Sequence, residues 1–539
     1  MCIPRATVLG TVLVAIALTA SGCRTDTRAQ QQTTAVFDLE EATIRALIQD
    51  QQAGRRTARQ IASAYIARIQ ALDRTGPALH ATIELNPDAL SIADSLDADR
   101  TAGRVRGPLH GIPVLIKDNI DTADHMTTTA GSLALEGSIA ARDAFIVERL
   151  RASGAVILGK TNLSEWANFR STHSTSGWSG RGGLVRNPYA LDRNPCGSSS
   201  GTGAAIAANF ATVGVGTETD GSIICPSGAT SLVGIKPTLG LVSRSGIIPI
   251  AHSQDTAGPM ARTVEDAATL LSVLSAADPR DAATASSSRP ETTRFESSLN
   301  ADGLRGARIG VARTKFFGYN DVADRIAEGA IERMKALGAV IVDPADIPNV
   351  GAYDDSELAV LLYEFKTDLN AYLGALGPGA KVHSLADVIA FNDASRDREM
   401  PFFGQELMLQ AQKKGSLTEK EYKDALAKDL KLSRKEGIDA VMDRLHLDAI
   451  VVPTGTPPWT TDLINGDHSV GSSTTPAAVA GYPSITVPAG FAYGQPLGIS
   501  FIGRAWSEAT LIKFAYAYEQ ATRQRRPPTF AATADLTKP

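Results

Sequence analysis

The stretch that decides the fold, residues 196–236, reads CGSSSGTGAAIAANFATVGVGTETDGSIICPSGATSLVGIK. A serine–glycine cluster at 196–201 and a second one at 216–223 enclose a segment of small and apolar residues. Residues 204–210 predict a helix that is buried on nearly every face, because almost no polar side chain interrupts it. Glycines and hydroxyls at both ends of a buried element indicate a place where backbone N–H groups and serine oxygens meet a ligand. This arrangement is typical of a nucleophile site.

The composition is that of a soluble globular protein, with 43% hydrophobic and 21% charged residues in 539. The formal net charge is −5 and no basic stripe is present, so we expect no nucleic-acid partner. The eight histidines are scattered and no metal-ligand spacing occurs. We therefore expect neither a metal site nor a cofactor.

The first residues have the pattern of an export signal. Arg5 precedes an apolar run at 6–20, which is too short to span a bilayer comfortably, and small residues then lead to Cys23. Residues 20–23, Ala-Ser-Gly-Cys, resemble a bacterial lipobox, which implies lipidation of Cys23; a plain signal peptide with an incidental cysteine is the alternative. We predict a signal peptide at 1–22, a polar tether at 23–36 and an exported protein, periplasmic or anchored in the membrane only through this lipid.

Two cysteines, Cys196 and Cys225, remain after that segment and flank the serine region. An exported protein could pair them in a disulfide. Their tightly packed, glycine-rich surroundings favour the other reading, in which both are small buried apolar side chains.

Helical and strand-like segments alternate along the rest of the chain. Thr57 and Gln60 form a capping box in front of a helix that ends near 72. A helix at 143–151 precedes a buried strand at 154–160, and 246–250 predicts an edge strand. Residues 353–435, here called the cap, are charged and mostly helical. The pattern predicts an α/β fold in one large domain, with a central mixed, mostly parallel β-sheet covered by helices on both faces.

Lys117 is the unusual residue of the apolar strand around 107–119. A lysine at a strand end ordinarily extends its ammonium to solvent, and this is the reading that the strand alone favours. The neighbouring Asp118 points to the opposite face of the strand, so we expect it not to contact the Lys117 ammonium.

The serine region, the strand ending in Lys117 and the segment 481–503, GYPSITVP…PLGISFIG, together resemble the amidase signature family. The resemblance covers residues 37–525, leaving 526–539 as a C-terminal tail, and it is greatest to bacterial peptide amidases over 187–260. It implies a Ser–Ser–Lys triad with Lys117 as base, Ser198 on a cis peptide as bridging serine and Ser222 as nucleophile. The two serines are 24 residues apart (222 − 198), as in the family. It also implies an amidohydrolase that forms an acyl-enzyme and removes the C-terminal amide of peptides.

The chemistry of the residues agrees with this resemblance. An amide is a poor electrophile, so its hydrolysis needs an activated nucleophile and an oxyanion site. A lysine can act as the base if its pKa falls from ~10.4 toward ~7–8, which burial can cause. The backbone N–H groups of the glycine-containing turn can form the oxyanion site; they belong to Thr219, Asp220, Gly221 and Ser222.

The turn departs from the family run Gly-Thr-Asp-x-Gly-Gly-Ser-Ile-Arg, because Glu218, Asp220 and Ile224 replace its acid, a glycine and the arginine. Peptide amidases share this variant. We hypothesise that Asp220 repels substrates that already carry a terminal carboxylate.

Several other functions remain open on sequence grounds. Residues 197–201 also fit the G-x-S-x-G nucleophile elbow, with Ser199 as nucleophile and His446 or His468 as base, although this leaves Lys117 unexplained. A broader acyl or aryl amidase would use the same triad. A solute-binding lipoprotein would need no activated serine. The amidotransferase component that acts on charged transfer RNA shares the fold, but it is cytoplasmic, and the export signal argues against it.

Overall fold

The computed structural model describes residues 37–286 and 294–537. Glu41–Pro539 is one compact unit. Met1–Glu40 is a unit of its own, of which 37–40 are described and contain a turn. The predicted signal peptide, tether and Cys23 lie outside the described residues, so these and the domain boundaries stay predictions. Within the described ranges, no helix combines the length and apolar character needed to cross a bilayer.

The strands are short and follow one another along the whole described chain. They are β1 (Thr82–Leu85), β2 (Pro113–Lys117), β3 (Val156–Thr161), β4 (Trp178–Ser179), β5 (Gly183–Leu184), β6 (Val213–Glu218), β7 (Val233–Lys236), β8 (Thr256–Ala261), β9 (Arg308–Val311), β10 (Val340–Val342), β11 (Ala449–Pro453), β12 (Ser484–Ala492) and β13 (Gln495–Ile502).

The α-helices mostly lie between strands, although the first two follow each other directly, as do the helices of the cap. They are α1 (Ile44–Gln52), α2 (Ala58–Leu72), α3 (Ala89–Thr101), α4 (Phe145–Ala152), α5 (Ser200–Ala207), α6 (Ile224–Ala229), α7 (Val264–Leu274), α8 (Asp321–Ala336), α9 (Asp354–Gly374), α10 (Leu385–Ala394), α11 (Arg396–Glu399), α12 (Glu406–Gln412), α13 (Lys420–Leu430), α14 (Asp439–Leu445), α15 (Thr475–Ala480) and α16 (Glu508–Thr522).

Eleven of the described strands form one sheet in the order β1-β3-β2-β6-β8-β7-β12-β13-β11-β9-β10, and β4 pairs with β5. The predicted mixed sheet in a single large α/β domain is confirmed. The expectation that it is mostly parallel is wrong. Parallel pairs occur at β3–β2, β2–β6, β11–β9 and β9–β10, whereas the six other neighbouring pairs are antiparallel. Antiparallel partners need no helical crossover, and the middle of the sheet is built from them.

Both faces of the sheet are covered. Every residue of β2, β6 and β13 is buried, although successive side chains point to opposite faces. Helix α5 packs on β2, α7 on β8 and α16 on β12. All residues of α5 are buried, as the small-residue run predicted. The serine region thus lies in the core of the molecule.

Of three local predictions, two are confirmed and one is wrong. The capping box is present: the Thr57 hydroxyl accepts the Gln60 N–H at 3.1 Å, and the Gln60 side chain accepts the Thr57 N–H at 2.9 Å. The mostly helical cap is confirmed by α9–α13. The predicted edge strand at 246–250 is wrong, because only Ile247 makes an isolated bridge, to Ile120. Its apolar residues instead pack against the cap, where Ile248 and Ile250 belong to a core cluster that contains Phe365 of α9.

Candidate functional site

Lys117 ends strand β2 and is completely buried, so it does not extend to solvent. Its Nζ donates to Ser198 Oγ at 2.7 Å and to Thr217 Oγ1 at 2.9 Å, and lies 3.3 Å from the Thr217 carbonyl oxygen. Among the described residues no carboxylate forms an ion pair with it. A buried amine surrounded by hydroxyls, without a paired anion, is poorly stabilised in its charged form.

The electrostatics follow from this burial. Burial lowers the pKa of Lys117 to about 7, while the negative charges of Asp255 and Glu218 act in the opposite direction. Asp118 does not contact the ammonium, as predicted. Its carboxylate accepts from the Thr129 hydroxyl and from the Gly131 N–H instead. Lys117 is therefore able to exist as a neutral amine near neutral pH.

Ser198 lies just before α5 and is completely buried. The peptide bond between Gly197 and Ser198 is cis, as the resemblance implied. The Ser198 carbonyl accepts the Ser164 N–H at 3.0 Å, which anchors the backbone of this loop. The loop is thus fixed where its hydroxyl meets Lys117.

Ser199 connects the two serine clusters. Its N–H donates to the Ser222 carbonyl at 3.2 Å. Its hydroxyl donates to the Thr217 carbonyl at 3.1 Å and accepts the Thr217 N–H at 3.2 Å. Because this hydroxyl is held by the backbone of β6, and because neither His446 nor His468 bonds to it, the geometry does not favour the nucleophile-elbow reading.

Ser222 follows the turn that connects β6 to α6. Glu218 at the end of β6 accepts the N–H groups of Ile223 at 2.6 Å and Ile224 at 2.9 Å, which fixes the start of the helix. Gly221 has a φ of 78°, a conformation that glycine adopts without strain. Ser222 is 7% exposed, so part of this residue is accessible.

Four successive backbone N–H groups in this turn have no hydrogen-bond acceptor among the described residues; they belong to Thr219, Asp220, Gly221 and Ser222. Unpartnered N–H groups beside a reachable hydroxyl can bind an oxygen on which negative charge develops. The turn predicted from sequence is therefore suited to that task.

Asp220 is half-buried beside the turn. Its Oδ2 accepts the Thr475 hydroxyl at 2.6 Å, whereas its Oδ1 is buried without a hydrogen-bond partner among the described residues. Burial raises the pKa of Asp220, and hydrogen bonds from Thr474 and Thr475 oppose this rise.

Three residues that the sequence did not single out complete the site. Thr217 accepts from Lys117 and, at 3.0 Å, from Asn119 Nδ2. Asp255 accepts the Thr219 hydroxyl at 2.6 Å, and burial raises its pKa to about 6. Thr217 lies within the quoted stretch and Asn119 two residues after Lys117, but no local pattern identifies Asp255.

Cys196 and Cys225 form a disulfide, with Cα atoms 5.9 Å apart. The reading of both as buried thiols is therefore wrong. Glycine-rich packing brings the two chain segments close together, and that closeness permits a bond as readily as apolar contact. The bond joins the loop of Ser198 to the helix that follows Ser222.

One family model, one solved structure and two curated relatives that match this chain are all named amidases. The family model described as Amidase matches residues 60–512. The structure of native peptide amidase from Stenotrophomonas maltophilia is 50% identical, with a TM-score of 0.88, covering 92% of this chain and 99% of that one. A probable amidase of Arabidopsis thaliana is 44% identical over 93% of this chain and 94% of its own. A putative amidase of Arthroderma benhamiae is 38% identical over 86% of this chain and 79% of its own.

Proposed function

Because the chain belongs to the amidase family and is a hydrolase of C–N bonds in linear amides, we propose that it converts the C-terminal amide of peptides to a free acid and ammonia. The observation that carries the mechanism is the 2.7 Å hydrogen bond from a buried, unpaired Lys117 to Ser198. The substrate class is supported by the 50% identity to a peptide amidase.

In the proposed mechanism the neutral amine of Lys117 takes a proton from Ser198, which takes one from Ser222. The Ser222 oxygen attacks the amide carbonyl, and the negative charge that develops on the carbonyl oxygen is bound by the N–H groups of the turn. The Lys117 ammonium returns the proton through Ser198 to the departing nitrogen, which leaves as ammonia. Water then attacks the acyl-enzyme by the same proton route and releases the acid.

Asp220 provides a basis for discriminating between amide and acid. A carboxylate product at Ser222 would lie close to this side chain, and like charges in a half-buried site repel. Since burial raises the pKa of Asp220, the repulsion strengthens as pH rises and the carboxyl ionises.

Export is part of the proposal. The signal-like N-terminus and the Cys196–Cys225 disulfide support it, because disulfides persist in oxidising compartments. The same two features argue against the cytoplasmic amidotransferase role. A solute-binding role has no support, since a binding protein needs no buried lysine bonded to a serine. Lipidation at Cys23 remains a prediction, to be tested by the mass of the mature N-terminus.

The test is ammonia release by the purified protein. Peptide amides, simple acyl amides and aryl amides are offered in parallel, with the Ser222→Ala variant as control. Faster release from peptide amides, abolished in the variant, would support the proposal. Equal turnover of all three classes would favour the broader acyl or aryl amidase.

A further inference from the structure

A cavity of about 380 Å³ lies between helix α9 of the cap and the segment that leads to Ser222. Its lining includes Thr217, which accepts a hydrogen bond from Lys117, and Thr219, which begins the turn that leads to Ser222. The cavity therefore lies next to the candidate triad, although Lys117, Ser198 and Ser222 are not part of its lining. Its volume lies within the range of small-molecule sites.

Part of the wall of this cavity is apolar. It consists of Ala167, Ile247, Ile248, Ile250 and Ala371, and we call the space that they line the isoleucine pocket. Ile248 and Ile250 are each 5% exposed and are held from behind by the cap. Such a wall gains free energy by covering an apolar group of a ligand.

The charged side chains around the pocket already have partners within the protein. Arg244 donates to Asp281 at 2.9 Å, and the His252 ring bonds to Asp368 at 2.8 Å. Asp255 accepts from Thr219 and from backbone N–H groups. Because these charges are satisfied within the protein, the pocket favours an uncharged ligand.

Asn119, which lines the pocket, carries a polar atom that is not satisfied. Asn119 is 2% exposed, and its Nδ2 donates to Thr217 Oγ1 at 3.0 Å. Its Oδ1 is buried without a hydrogen-bond partner among the described residues. A buried acceptor without a donor is costly, so a ligand that brings an N–H group to this atom is favoured.

We propose that the isoleucine pocket binds the C-terminal residue of the substrate, with its apolar side chain against the isoleucines and its backbone N–H donating to Asn119 Oδ1. This inference rests on the proposed peptide-amide hydrolysis and narrows it. The substrates are N-acylated amides of apolar amino acids, in which side chain and N–H flank the same carbon next to the scissile amide.

The first experiment measures kcat/KM for ammonia release from N-acetyl-glycinamide, N-acetyl-alaninamide and N-acetyl-leucinamide. Wild type is expected to prefer leucinamide over glycinamide by at least about tenfold, as one methylene in an apolar pocket already gives about tenfold or more. Ala371→Phe fills the pocket and should lower this ratio at least about tenfold while glycinamide is still hydrolysed. Ala375→Phe is the matched control, because Ala375 is also exposed but lines a different cavity, and it should keep the wild-type ratio.

The outcomes separate the two proposals. If wild type releases no ammonia from any of these amides, the proposed function fails, and the pocket assignment fails with it. If wild type hydrolyses them but Ala371→Phe keeps the leucine preference, or Ala375→Phe loses it equally, the pocket assignment alone is overturned.

A second experiment tests the hydrogen bond. N-acetyl-N-methyl-leucinamide lacks the donor, and wild type should hydrolyse it at least about tenfold less efficiently than N-acetyl-leucinamide. Asn119→Leu removes the acceptor, so its penalty for N-methylation should nearly disappear. A penalty of equal size in wild type and variant would overturn the role of Asn119.

Discussion

Two lysines on neighbouring strands offer a direct comparison. Lys117 ends β2, and Lys160 lies in β3, paired with Ile116 in the same parallel ladder. Both are completely buried, and burial lowers the pKa of each. Yet Lys117 donates to the hydroxyls of Ser198 and Thr217, whereas Lys160 donates to the Ile120 carbonyl at 2.6 Å and to Thr128 at 2.9 Å.

The difference teaches that burial alone does not make a lysine a base. The Thr128 hydroxyl that Lys160 contacts donates to the Ile120 carbonyl at 3.4 Å, and a carbonyl oxygen has no proton to give, so Lys160 holds the loop after β2 in place. The charge of Asp118 also favours its ammonium form. A hydroxyl both gives and receives a proton, so Lys117 is connected to chemistry through Ser198.

The largest expected effect comes from removing the proposed base. Lys117→Met should lower kcat for peptide-amide hydrolysis by about 10²–10⁴-fold, the usual contribution of general acid–base catalysis. The variant should remain folded, because it replaces a poorly stabilised buried charge with an apolar chain of similar length. Ammonia release and circular dichroism measure the two properties. A fully active Lys117→Met would end the proposed mechanism.

Lys160→Met should show the opposite pattern. Loss of this donor leaves the Ile120 carbonyl and the Thr128 hydroxyl with a long mutual hydrogen bond of 3.4 Å in the core, which should lower the free energy of unfolding by about 1–3 kcal/mol. Urea unfolding measures the loss. The kcat of the folded fraction should fall far less than in Lys117→Met. An equal fall in kcat in both variants would contradict the different roles assigned to the two lysines.

The charges around each lysine give a third test, on pH dependence. Because the pKa of Lys117 is about 7, kcat/KM should rise with pH through this region as the amine becomes neutral. Asp255, with a pKa of about 6, is largely ionised there and favours the ammonium. Asp255→Asn should therefore move the rise to lower pH. Asp118→Asn, which acts on Lys160, is the control and should leave the rise unmoved.

The smallest expected effect concerns Asp220, which belongs to the same candidate site as Lys117. Asp220→Asn should bind the free-acid product more tightly, because the repelling carboxylate is removed. The inhibition constant of a peptide acid is measured across pH. It should increase with rising pH in wild type, because binding weakens, and should change less in the variant. Unchanged product inhibition would remove this explanation.

The candidate triad residues could be named from the sequence because their motifs are local and the family resemblance is specific, and their roles stay predictions. The capping box at Thr57 was equally readable, since its partners are three residues apart. The directions of the strands in the sheet could not be read from the sequence, because a pair such as β12 and β7 joins segments that are far apart in the chain. Asp255 and Asn119 were missed for the same reason: their significance comes from Thr219 and Thr217, which only the folded chain brings to them.

The Cys196–Cys225 bond also has a consequence for the unfolded chain. It closes a loop with a sequence separation of 29 residues, and both Ser198 and Ser222 lie inside that loop. By the chain-entropy account, closing a ring of this size stabilises the native state by about 3–4 kcal/mol. Protein produced in a reducing cytosol would start folding without this ring. Recombinant yield and heat tolerance should therefore depend on the compartment chosen for expression.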